Sequence, residues 1–134
     1  MSHLICAWLQ HMNAHLRFTL TVLLVLSAPR PQATQRITMV VSPSKAMAPA
    51  TLRVRFGVEP TMENRALDVV VDSGDVFRSS EIPLDGERAP RTIVLEFPGL
   101  PGGTYVVRGM IRDISGHPRA SVDQEVTVVR SARE

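Results

Sequence analysis

The sequence has 134 residues, 15 Lys+Arg against 13 Asp+Glu, a formal charge of +2 at neutral pH and a single cysteine. That length suits one domain of ordinary size and excludes two comfortable ones. Two of the basic residues, Arg17 and Arg30, precede Thr34, whereas every acidic residue follows it. Residues 34–134 are therefore formally neutral and lack the uncompensated positive cluster that nucleic-acid binding requires.

Residues 18–28, FTLTVLLVLSA, form an uncharged apolar run with Arg17 before it and Pro29 and Pro31 after it. The order of charge, apolar core and small residues is that of a secretory leader. Eleven residues at a helical rise reach only about half of a hydrocarbon core roughly 30 Å thick, which disfavours a membrane span. Residues 1–33 are thus expected to be a leader, with Met12 as a candidate start and membrane contact only if the leader stays uncleaved. An exported domain in the periplasm or outside the cell follows as the expectation. Cys6 and Trp8 belong to the leader, so the domain over residues 34–134 has no cysteine and must be held by its core alone.

From Thr34 onward the chain reads as strand-length alternations separated by turn signals, without an amphipathic helix. Residues 37–42 give a first strand ending at Pro43, and the Pro43 to Pro49 piece reads as a kink or strand switch. Residues 51–58 alternate Leu52, Val54, Phe56 and Val58 with Arg53 and Arg55, a half-buried pattern. Residues 66–72 place Leu67, Val69 and Val71 on one face. Asp72-Ser73-Gly74-Asp75 is a turn, residues 76–82 a short irregular strand, and residues 84–90 a polar connection. Residues 92–97 and 105–112 alternate again, Ser115-Gly116-His117-Pro118 makes the next turn, and residues 121–129 close the chain with Val122, Val126 and Val128 on one face.

Between the two strands of residues 92–112 lies Pro98-Gly99-Leu100-Pro101-Gly102-Gly103, which no helix or ladder is expected to cross. The set Leu100, Pro101, Gly102 and Tyr105 resembles the corner between strands E and F of immunoglobulin-like and fibronectin type III sandwiches, in which a tyrosine early in strand F bonds back to upstream backbone. The resemblance implies an all-β, two-sheet antiparallel sandwich of about seven strands over residues 34–134, with sheets A-B-E and C-F-G. It also places Arg108 and Arg112 between Asp68, Asp72, Asp123 and Glu125, and Arg53 and Arg55 beside Glu96. Activity does not follow from such an architecture.

Chemistry-bearing groups are few. After the leader His117 is the one histidine, in a turn with Asp113 and Ser115, too local a grouping for a triad with its oxyanion donors and pocket. His11 and His15 fall in the leader. Asp72 to Asp75 offers oxygens to Ca²⁺ but reads better as a turn, and the methionines Met39, Met47, Met62 and Met110 read as packing and loop residues. No catalytic residue, cofactor or metal is expected. The resulting expectation is a non-catalytic exported interaction module with an unknown protein or envelope component as partner, whose binding edge is Phe77, Arg78, Ser80 and Glu81. One alternative is a carbohydrate-binding module, if Phe77 and Met110 line a groove. Another is a metal carrier or enzyme centred on His117.

Overall fold

A computed structural model describes residues 36–132. The leader, with Cys6, Trp8, His11, Met12 and His15, lies outside the described residues, as does the apolar run that suggested export. Among the described residues no helix is long and apolar enough to cross a membrane.

Eight strands are present among these residues: β1 (Ile37–Ser42), β2 (Lys45–Met47), β3 (Ala50–Val58), β4 (Ala66–Asp72), β5 (Phe77–Pro83), β6 (Thr92–Leu100), β7 (Gly103–Arg112) and β8 (Pro118–Val129). They form two sheets, ordered β1-β3-β6 and β2-β8-β7-β4-β5. This is the expected all-β immunoglobulin-like sandwich, with the expected sheet partners. Between the sheets lies a core in which Leu52, Val54 and Phe56 of β3, Leu67, Val69 and Val71 of β4, and Tyr105, Val107 and Ile111 of β7 are fully buried. The two-residue period of the sequence thus sets which face each strand buries.

Three expectations are corrected. The Pro43 to Pro49 piece does switch sheets, but it also contains an eighth strand, β2, running parallel to β8 with Ala46 opposite Val128. The connection after β5 is less polar than its composition, because Leu84 and Ala89 are buried around the 3₁₀ turn Gly86–Arg88. Finally, the ladder does cross Pro98. Val58 N donates to Arg91 O at 2.9 Å, so Ile93, Leu95 and Phe97 bond to β3 while Thr92, Val94, Glu96 and Pro98 point their backbone groups away from it. Proline's missing N–H falls on the free edge, where nothing is lost. The register then shifts between Ala50 and Leu52, and Gly99 adopts φ 67°.

The outer faces carry the charges in complementary columns. Arg53 pairs with Glu96 at 2.7 Å and Arg108 with Asp123 at 3.0 Å. Arg112 bonds Asp68 through two nitrogens and donates to Glu81 at 2.6 Å, linking β7, β4 and β5 on one face. The hydrogen bond and charge of Asp68 hold the Arg112 guanidinium above its ordinary pKa. Opposite charges on neighbouring strands favour this register over a slip.

Candidate functional site

The two sides of the sandwich differ. At one side β1 lies against β8, and the outward-pointing amide of Val41 is taken by Gln124 Oε1 of β8 at 3.3 Å. The switch from β1 to β2 then carries the chain onto β8. At the other side two strands, β5 and β6, have no strand partner beyond them among the described residues. Ser73 N donates to Val76 O at 3.0 Å and Leu84 N to Arg65 O at 2.8 Å, which fixes the alternation of the β4–β5 ladder. By that alternation the N–H and C=O groups of Phe77, Ser79 and Glu81 point to the free edge. On β6 the corresponding groups are those of Thr92, Val94 and Glu96. An edge of this kind is a template for a further strand.

The four candidate edge residues lie on one strand but on two faces. Phe77 and Glu81 pair with Asp72 and Asp68 and share the outer face, whereas Arg78 and Ser80 pair with Val71 and Val69 and share the inner one. Phe77 is 63% exposed, so it does not help to cover the core. Glu81 is tied to Arg112, whereas Arg78 forms no ion pair among the described residues. Burial falls sharply along the inner face: Leu67, Val69 and Val71 of β4 are fully buried, but Ile82 and Ser80 are half-buried and Arg78 is exposed. The facing sheet has three strands against five, with Phe56 of β3 packed on Gly109 of β7, so β6 lies over β4 and stops short of β5. The inner face of β5 is a ledge beside the β6 edge. Sequence reading missed β6 as part of this side, since its alternation shows a core strand and not which neighbour it lacks.

At the corner, the Tyr105 hydroxyl donates to Pro101 O at 2.7 Å while the ring is fully buried. Leu100 is fully buried beside it, and Gly102 lies against Arg130, where a Cβ would meet Arg130 backbone at 3.1 Å. A shallow depression of about 420 Å³ there is lined by Ser73, Asp75, Gly103, Thr104 and Arg130 among others. A second, on the outer face, is lined by Val70, Asp72, Ser73, Gly74, Thr104, Val106 and Arg108. Phe77 and Met110 do not share a groove. They fall in different rows of the face, Phe77 beside Asp72 and Val106, Met110 beside Asp68 and Glu81.

In the turn at 113–117, Asp113 Oδ1 accepts from Ser115 N at 2.8 Å and His117 N at 2.9 Å, and its distance to His117 Nδ1 is 3.8 Å. The carboxylate therefore braces backbone. The amide of His117 pulls the Asp113 pKa below its ordinary value most strongly; burial opposes it, and the amide of Ser115 adds a weaker downward pull. A depressed folded-state pKa means that the stabilisation is full above the ordinary value of 3.8 and is lost as pH falls through the folded one. The protection factors of the Ser115 and His117 amides, measured relative to the intrinsic rate at each pH, are expected to fall below about pH 4, ahead of those of the core amides, and an Asp113→Asn variant should show a smaller fall. In the Asp72 to Asp75 turn, Asp72 Oδ1 accepts from Gly74 N at 2.8 Å. Among the described residues no group of three or more His, Cys, Asp and Glu side chains is placed to hold a metal ion.

No family model and no curated protein matches the chain. Among solved structures, the chain is similar to a superoxide reductase (neelaredoxin) from Ignicoccus hospitalis, with TM-score 0.57 and 13% identity over 73% of this chain and 88% of that one. It is also similar to the PKD domain of an M14-like peptidase from Thermoplasmatales archaeon SCGC AB-540-F20, with TM-score 0.51 and 21% identity over 69% of this chain and 92% of that one. At these identities the likeness is one of fold. The expectation that the chain is not an enzyme is corrected by the first comparison, because the sandwich from which it was drawn is also the fold of an enzyme.

Proposed function

We propose that the chain is an exported interaction module, in the cell envelope or outside it, that contacts its protein or envelope partner along β5. The observation that carries this reading is the free edge of β5, where the backbone groups of Phe77, Ser79 and Glu81 lie beside an exposed aromatic and Arg78, which forms no ion pair among the described residues. Strand addition draws affinity from such backbone groups and selectivity from alternate side chains. The likeness to a PKD domain is consistent with an interaction role.

Capture from the envelope fraction with the full chain as bait tests this, using variants that keep the fold. Phe77→Ala and Arg78→Glu are each expected to weaken retention of the captured partner about tenfold or more, the range of an anchoring interface residue. Arg55→Glu, on the outer face of the other sheet, should leave retention unchanged. A partner held equally by all four proteins would contradict the reading.

A further inference from the structure

Going beyond that reading's β5 edge while resting on its interaction role, we infer that an extended partner segment adds to β6, as a fourth strand of the three-stranded sheet, with the inner face of β5 as its floor. Two independent features meet at this place. The first is the row of outward backbone groups on Thr92, Val94 and Glu96, unpartnered by any strand among the described residues and unblocked until Pro98. The second is the ledge itself, where burial drops from β4 to β5 because the facing sheet ends one strand early. A strand bonded to β6 fills the missing position and covers Ile82, Ser80 and Arg78. A strand added outside β5 leaves that ledge open.

The floor defines what the segment carries. Inward side chains of an extended chain recur every second residue, about 7 Å apart, and the floor presents Arg78, Ser80 and Ile82 at the same interval. Arg78 is exposed, with no ion pair among the described residues, so the residue above it is acidic; above Ser80 it is small, and above half-buried Ile82 it is apolar. β4 runs antiparallel to both β5 and β7, and the corner reverses the chain between β6 and β7, so β5 is antiparallel to β6. A segment antiparallel to β6 therefore runs with β5 and reads acidic, any, small, any, apolar from its amino end. The occupant is an extended segment of another protein with that pattern.

The test is titration of the full chain with a capped peptide in which glutamate, alanine and valine, in that order, alternate with threonine, followed by amide shifts and hydrogen exchange. The amides of Thr92, Val94 and Glu96 are expected to shift and gain protection. Arg78→Glu should weaken the peptide about tenfold, and replacing its glutamate by lysine should restore binding to that variant. Protection at Phe77, Ser79 and Glu81 instead would overturn the ledge and leave the β5 reading standing. No response anywhere would overturn both. Protection of the β6 amides without peptide would also overturn the inference: a second copy occupies the ledge if it rises with protein concentration, and residues of this chain outside 36–132 if it does not.

Discussion

Replacing Tyr105 by phenylalanine is expected to cost about 1–3 kcal/mol of unfolding free energy, and replacing it by alanine about 3–5 kcal/mol. The hydroxyl is the sole difference in the first variant. Its bond to Pro101 O holds the corner between β6 and β7 shut, and its loss leaves a carbonyl short of a partner next to fully buried Leu100. The second variant also empties the space of the largest fully buried side chain in the core. Against the stability of about 5–15 kcal/mol usual for a domain, the alanine variant stands near the limit of folding. Equilibrium urea unfolding orders the three proteins. A phenylalanine variant as stable as the parent would show that the corner bond contributes nothing.

A second large effect is expected at Gly109, in the middle of β7. A Cβ there would overlap Phe56 Cε1 and lie 3.0 Å from Cζ and 3.2 Å from Cδ1. The ring is itself fully buried and cannot swing away. Gly109→Ala should therefore cost about 1–3 kcal/mol through overpacking, and Gly109→Val more. The same substitution at Gly57 meets the side-chain end of Thr38, which is exposed on β1 and can move aside, and should cost less. Combining Gly109→Ala with Phe56→Leu makes room for the methyl, so the pair should be less destabilising than the sum of its parts by about 0.5–3 kcal/mol. Strict additivity in thermal or urea unfolding would contradict the close packing of β3 on β7.

How far the sequence shows this molecule depends on what each feature needs. Alternation within one strand is local, so the faces of β3, β4, β6 and β7 are legible, down to Gly109 standing among inward residues of β7. Opposite charges on neighbouring strands likewise show in the columns that become Arg108 with Asp123 and Arg112 with Asp68. β2 is not legible, because three residues carry no period and its partner β8 is some eighty positions away. Nor are Leu84 and Ala89, since a 3₁₀ turn buries two residues of a polar stretch without repetition. The direction of Phe77 depends on the closing pair of its hairpin, Ser73 with Val76, which composition does not reveal. The open side is a property of strand order, and an edge strand with a buried face has the same alternation as a central one. Activity is not legible from such a fold for a different reason, as one sandwich hosts both a superoxide reductase and a PKD domain.

At one side of the sandwich the outward groups of β5 and β6 are open, whereas at the other Gln124 takes up the Val41 amide and the chain crosses onto β8, and amide hydrogen exchange of the free full chain measures that difference directly. On β6 the amides of Ile93, Leu95 and Phe97 bond β3 and should exchange slowly, while those of Thr92, Val94 and Glu96 should exchange near the unprotected rate. On β5, Arg78, Ser80 and Ile82 should be slow and Phe77, Ser79 and Glu81 fast. At the opposite side Val41, whose amide is held by Gln124, should be protected, and Gln124→Ala should release it. Uniform slow exchange along β5 and β6, or an unprotected Val41 in the parent, would contradict the assignment of the open side.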